Sequence, residues 1–255
     1  FYGCFYGKNM NDIFHVVEDI PKIDERTKEI DISAQKLADM IDHTELSPYA
    51  TEDTLKKLCD EAKSYGFSSV AIHPYYTELC KSELKGSDVK VDPCIGFPLG
   101  QTTPEEKAFE AKKAMEAGGD EIDMVMNIGA FKDEKYDFVK EEIESVWEAG
   151  NGKTLKVIIE TGYLTYEEVK KASEIVKEAG ADYVKNSTGF GPYGANVPHI
   201  KIMRETVGQD LGIKAAGGIH DFRDALRMIS AGASRIGASA GPQIMETFKE
   251  AQGTD

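Results

Sequence analysis

The chain is 255 residues long and 41% hydrophobic, with 30 basic against 45 acidic residues and a formal net charge of −15. That length suits one large α/β barrel or two small domains. The acidity argues against a nucleic-acid footprint or attraction to an anionic membrane, so a phosphorylated ligand would need a local positive site.

Residues 1–31 are set apart as an N-terminal extension. Phe1 to Gly7 starts without methionine and reads as an appended or exposed stretch, and residues 11–31 are charged with scattered Ile, Val and Phe, a composition compatible with a helix packed outside the core. No run of eighteen apolar residues occurs, and the first thirty residues lack a basic stretch followed by an apolar one. Neither a membrane span nor a signal peptide is expected. Cys4, Cys59, Cys80 and Cys94 are widely spaced, without CxxC or Cys/His groupings. They read as reduced thiols of a cytoplasmic protein rather than metal ligands or a disulfide framework.

Residues 32–255 read as one domain, because no Pro-, Ser- or Gly-rich linker divides them. Here an amphipathic helix, a Gly or Asn break and a short β-branched run recur. The runs lie near Met40–Asp42, Ser69–His73, Val89–Phe97, Glu121–Asn127, Leu155–Glu160, Asp182–Asn186, Gly212–Ala216 and Arg235–Ala238. Their starts recur about every twenty to thirty-five residues, the length of a strand plus a crossover helix. Between them, Leu55, Leu58, Cys59 and Ala62 share one helical face, as do Val169, Ala172, Ile175 and Val176. Ala-Gly breaks such as Ala117-Gly118 and Ala179-Gly180 punctuate helix ends. Eight βα units in strict alternation favour a single-domain (β/α)8 TIM barrel over a doubly wound sheet, although crossover pattern alone is compatible with an open sheet.

In a barrel the chemistry belongs at the carboxyl ends of the strands. The runs deliver Asp42, His43, Thr44, His73, Asp123, Asn127, Glu160, Lys185, Lys214 and Ser239 there. Lys185 closes an apolar run before a Gly-rich turn; it either snorkels to solvent or is a nucleophilic amine with a lowered pKa. Lys214 falls on the next strand. Adjacent strands are about 4.8 Å apart, so two inward ammonium groups would repel and lower the pKa of one of them. Alternation turns Asp123, Val125 and Asn127 to one side, where Asp123 would form an ion pair or relay protons. Asp42 and Thr44 are supporting groups beside them. Ala215-Ala216-Gly217-Gly218 and Arg235-Ile236-Gly237-Ala238-Ser239 follow strands seven and eight, where barrels commonly bind phosphate through backbone amides.

Six ordered motifs then carry a resemblance. They are Asp42-His43-Thr44, Gly96-Phe97-Pro98-Leu99-Gly100, Glu121-Ile122-Asp123-Met124-Val125, Lys185-Asn186-Ser187-Thr188-Gly189-Phe190-Gly191, Lys214-Ala215-Ala216-Gly217-Gly218 and Arg235-Ile236-Gly237-Ala238-Ser239. From about Ile32 to Lys249 the chain resembles the 2-deoxyribose-5-phosphate aldolases, class I Schiff-base enzymes on a (β/α)8 barrel. The resemblance implies that Lys185 forms the imine, Lys214 perturbs its pKa and assists proton transfer, and Asp123 donates or accepts the proton. It sets Thr188, Gly189, Gly217, Gly218, Gly237 and Ser239 at the substrate phosphate. It implies a metal-free reaction, with no other cofactor, on a small phosphorylated sugar in deoxyribonucleotide catabolism, and a homodimer or higher homo-oligomer. Two departures stand out: Asn186 where the family often has Thr, and Ala240 where many members carry a second serine. A different phosphosugar-processing barrel, such as an isomerase, would work without an imine, and a phosphosugar-binding sensor would bind without turnover.

Overall fold

Eight short parallel strands close into one barrel in sequence order, β1 to β8, in the computed structural model, which describes residues 32–253. The expected extension over residues 1–31 lies outside the described residues. The chain enters through helix α1 (Ala34–Ala38) and β1 (Ile41–Glu45), then α2 (Glu52–Tyr65), β2 (Ser69–Ile72), α3 (Thr77–Glu83), β3 (Lys90–Ile95), α4 (Pro104–Glu116) and β4 (Glu121–Val125). Two helices follow β4, α5 (Ile128–Lys132) and α6 (Tyr136–Ala149). The rest alternates as β5 (Thr154–Ile158), α7 (Tyr166–Glu178), β6 (Tyr183–Lys185), α8 (Val197–Val207), β7 (Gly212–Ala216), α9 (Phe222–Ser230), β8 (Arg235–Ala238) and α10 (Gly241–Gln252).

All eight expected runs are strands, with shifted ends. The first runs on to Glu45, so Asp42 and Thr44 are within β1 rather than beyond its end. The sixth shortens to three residues, and its last is Lys185. Asn127 leaves β4 and becomes the N-cap of α5, its side chain accepting from Ala130 N.

Helix starts are fixed by local chemistry. Thr51, Thr103 and Thr165 each begin a capping box with the residue three positions on, which satisfies two orphan amides apiece. Helix ends before strands turn through glycines at positive φ, Gly118, Gly180 and Gly232 among them.

Alternation along the strands sorts the interior into two compartments. Ile122, Met124 and Met126, then Leu155, Val157 and Ile159, then Ile213 and Ala215 face outward and fill the annulus beneath the helices. Each fully buried side chain of this size contributes about 1.5–3 kcal/mol. The residues between them, Asp123, Lys156 and Lys214, point into the barrel, where they contact one another. Both expected helical faces, on α2 and α7, are buried against the annulus.

One ion pair lies inside the helical layer itself. Lys107 of α4 sits 2.7 Å from Glu142 of α6 and also donates to Val125 O, while Glu142 accepts from Asn127 N. Both side chains are fully buried, so neither charge has water as an alternative partner. This pair ties two helices to the carboxyl end of β4. Replacement Lys107→Met should leave Glu142 without its ammonium and cost about 3–5 kcal/mol of stability, measured by urea unfolding at neutral pH.

Candidate active site

Parallel register brings the site together. Lys185 and Lys214 are direct partners across β6 and β7, Asp123 is opposite Lys156 across β4 and β5, and Lys214 is opposite Arg235 across β7 and β8. The two lysines do not meet as a bare pair. Asp123 Oδ2 lies between them, 2.5 Å from Lys185 Nζ and 2.7 Å from Lys214 Nζ. The mutual repulsion expected from the sequence is therefore met by a shared carboxylate.

Lys214 is fully buried and touches three acids: Asp42 at 2.6 Å, Asp123 at 2.7 Å and Asp92 at 3.1 Å. Burial alone would lower its pKa, but Asp123, Asp42 and Asp92 outweigh burial and hold it above the usual lysine range. Lys214 is thus a fixed cation. Burial likewise works to raise Asp123, and the ammonium groups of Lys156, Lys185 and Lys214 reverse this, keeping the carboxylate ionised well below its usual range.

Beneath this layer the cluster continues. Lys156 lies 2.7 Å from Glu121, 2.8 Å from Asp92 and 3.1 Å from Asp123. Arg235 reaches Asp42 at 2.7 Å and stacks over the Tyr183 ring. Ser69 donates to the same Asp42 oxygen. Asp42, Asp92 and Glu121 converge closely enough to surround a cation. That place is taken by the Lys156 ammonium.

Above the cluster opens a pocket of about 520 Å3, lined on one side by Thr44, Lys185, Thr188 and Gly189 and on the other by Gly217, Gly218, Gly237 and Ser239. Among the described residues Lys185 is its one lysine or arginine, so an anion at the glycine end would be met by backbone N–H groups. Two glycine loops pass so closely that a Cβ on Gly194 would lie 2.2 Å from Gly217 O, and Ala195 N donates to that oxygen at 2.9 Å. The N-terminus of α10, just past Ser239, has no side-chain cap, which leaves its amides unfilled by protein side chains.

Loop positions are held by acids and amides. Glu160, at φ 49°, accepts from Thr188 N and from the Thr188 hydroxyl, and Thr188 Oγ1 accepts in turn from Phe190 N. Burial pushes the Glu160 carboxyl up despite these bonds. Asn186 is fully buried and its Oδ1 accepts from Ala216 N, tying the ends of β6 and β7 together. Thr44 turns its hydroxyl to Asp42 O. The Gly96–Gly100 turn closes on itself through Gly100 N to Gly96 O, and Phe97 packs edge-on against Phe190 at the pocket mouth.

The strand-end residues named from sequence divide accordingly. Asp42, Asp123, Lys185 and Lys214 are brought into contact, and Thr44, Thr188, the four glycines and Ser239 line the pocket. His43 points away, to Glu61 and the Phe67 ring, His73 bonds Leu46 O, and Asn127 caps a helix. Sequence reading missed Asp92, Glu121, Lys156 and Arg235. Alternation from Asp123 carried the signal for Glu121, whereas Asp92, Lys156 and Arg235 stand on strands to which no inward face was assigned from the sequence.

A closed barrel with a buried lysine–carboxylate cluster under a glycine-lined pocket defines a TIM-barrel enzyme, with its chemistry at the strands' carboxyl ends. Residues 34–247 match the family described as DeoC/LacD family aldolase, and the chain belongs to that family. It is 60% identical over 210 residues to deoxyribose-phosphate aldolase of Clostridium tetani, covering 82% of this chain and 97% of that one. The Thermococcus gammatolerans deoxyribose-phosphate aldolase is 55% identical over 220 residues, covering 85% and 98%. A solved structure described as a unique tetrameric deoxyribose phosphate aldolase from Aeropyrum pernix superposes with a TM-score of 0.81 at 33% identity, over 86% of this chain and 93% of that one. Among the described residues no helix is long and apolar enough to cross a membrane.

Asp42 gives this cluster a pH signature. Burial raises its pKa, but Lys214, Lys156 and Arg235 outweigh burial and hold it below the usual carboxylate range. Its stabilising contribution is complete above the unfolded value of about 3.9 and is lost as pH falls toward the folded value. Asp42→Asn should cost about 3–5 kcal/mol near pH 7, and the gap to the parent protein should narrow at about pH 3; chemical unfolding at both pH values measures it.

Proposed function

We propose that this chain is a deoxyribose-phosphate aldolase, cleaving 2-deoxy-D-ribose 5-phosphate reversibly to D-glyceraldehyde 3-phosphate and acetaldehyde through an imine on Lys185. The observation that carries this reading is Asp123 Oδ2, held by Lys185 on one side and Lys214 on the other at the base of the pocket.

In this mechanism Lys185 gives up a proton and its nitrogen attacks the aldehyde carbon of the open-chain sugar. Loss of water leaves a protonated imine at C1, adjacent to C2. Removal of the proton from the C3 hydroxyl drives electrons through the C2–C3 bond into the iminium nitrogen, releasing glyceraldehyde 3-phosphate and leaving an enamine. Protonation of the enamine carbon and hydrolysis then return acetaldehyde and the lysine. The iminium is the electron sink, so the chemistry as written calls on no metal or other cofactor. Asp123 moves the protons, and the Lys214 ammonium fixes Asp123 between the two nitrogens. The substrate phosphate is assigned to the backbone amides around Gly189, Gly217, Gly218, Gly237 and Ser239, with Thr188 beside them. Asp42 and Thr44 support the cluster and the rim. The role is that of a cytoplasmic enzyme of deoxyribonucleotide catabolism, working as a homodimer or larger homo-oligomer.

Incubation with acetaldehyde and borohydride should trap a two-carbon adduct that peptide mapping locates on Lys185, and Lys185→Ala should abolish both adduct and turnover while leaving the fold intact. Folded protein that forms no adduct would sink the proposal. Gly194→Ala should drive the two glycine loops apart through the Gly217 carbonyl. Losing one charge-assisted bond of about 1.5–3 kcal/mol should raise KM for the phosphorylated sugar roughly tenfold or more, and change cleavage of unphosphorylated deoxyribose far less, as steady-state kinetics on both substrates would measure.

A further inference from the structure

Asp92 has no part in the mechanism above, yet it is fully buried at the centre of the cluster. Its Oδ2 lies 2.8 Å from Lys156 and 3.1 Å from Lys214, while its Oδ1 has no hydrogen-bond partner. An ionised carboxylate with one buried, unanswered oxygen is costly, and a proton on the group lifts that cost. Asp42 faces it from β1, Asp123 and Glu121 from β4, Lys156 from β5 and Lys214 from β7, with Lys185 and Arg235 behind them on β6 and β8. Lys90, half exposed, touches the cluster only through Glu121.

Four carboxylates, Asp42, Asp92, Glu121 and Asp123, thus face four cations, Lys156, Lys185, Lys214 and Arg235. The balance holds while Lys185 is charged, but the reaction requires Lys185 to be neutral when it attacks. A proton must then be held elsewhere in the cluster or be lost to solvent.

We infer that Asp92 is the proton store of the site, a positioning residue that takes up a proton while Lys185 is a free amine and returns it when the imine forms. The path is a continuous chain: Lys185 Nζ to Asp123 Oδ2 at 2.5 Å, Asp123 Oδ2 to Lys214 Nζ at 2.7 Å, and Lys214 Nζ to Asp92 Oδ2 at 3.1 Å. Outward, an N–H bond of the Lys185 ammonium breaks and its electron pair stays on nitrogen. In one concerted shift Lys214 gives one of its protons to Asp92, forming the O–H bond there, and takes in its place the proton that Asp123 has received, so that Lys214 ends as the cation it began. The cluster's net charge is unchanged. On return, the proton from Asp92 leaves with the carbinolamine hydroxyl as water, and the new iminium carries the charge that Lys185 had carried. Burial, with the neighbouring Asp123 charge next, moves the Asp92 carboxyl up to about 6, consistent with a group that exchanges protons near neutrality.

The inference rests on Lys185 as the imine-forming residue, so the acetaldehyde–borohydride trap is run first on the parent protein and on Asp92→Asn and Asp92→Ser. No adduct on the parent protein overturns the Lys185 reading itself. With adducts in place, kcat/KM is followed against pH. An ionised Asp92 favours the charged Lys185, so removing it should move the acid limb to lower pH by about one unit in both variants. Folded variants that lose activity uniformly, with the limb unmoved, would overturn the role of Asp92. Should neither variant fold, infrared titration of the parent protein decides: the carbonyl stretch of a protonated buried carboxyl, vanishing with a midpoint near pH 6, supports the store, and its absence between about pH 5 and 8 overturns it.

Discussion

One carboxylate oxygen, Asp123 Oδ2, is shared by two lysines from adjacent strands, and much of the barrel interior follows from that sharing. Two ammonium groups cannot be buried side by side without anions between them. Once Asp123 serves both, Lys214 still needs partners below, and Asp42 and Asp92 supply them; Lys156 and Arg235 then neutralise those acids. The result is a barrel whose centre is ionic and whose apolar core lies outside it, under the helices. Such a centre is weak support for stability, since buried pairs repay their desolvation only with good geometry. In the proposed mechanism its value lies in fixing charges where the reaction develops them.

The pocket rim follows a different rule. It contains few side-chain charges, and its shape comes from backbone turns, a buried acid that ties down a loop and a buried amide that ties two strands. Floor and rim therefore differ in kind: the floor is built of paired charges, and the rim of backbone turns.

The fold was legible because the period of the chain is so regular. Every strand run was found, since β-branched segments between amphipathic helices repeat without a linker, and the barrel architecture followed from their number. Lys185 was legible because it ends its strand, and Lys214 and Asp123, each in mid-strand, because the runs that hold them were read for inward-facing charge. The lower half of the cluster was not. Lys156 follows the first two residues of β5, and Asp92 sits between Val91 and Pro93, so both look like interruptions of a strand until the closed barrel brings them within 2.8 Å of one another. Strand ends also shifted by the chain's own capping chemistry: Asn127 reads as a strand residue by alternation, but its side chain begins a helix. The sequence likewise suggested that lysine repulsion would set the proton chemistry. That reading placed Asp123 beside the lysines but left out Asp92 and Glu121, whose convergence depends on register across several strands, a quantity no single segment contains.

The amide-built end of the pocket has a consequence for changing what the enzyme accepts. A binding site made of arginine or lysine can be switched off by deleting those residues. In the proposed reading the phosphate donors are main-chain groups around Gly217, Gly218 and Gly237, which no side-chain deletion would remove. Redirecting the enzyme toward uncharged aldehydes therefore becomes a problem of occupancy: atoms must be added to fill the cradle or lengthen its loops, while the ionic floor stays as it is.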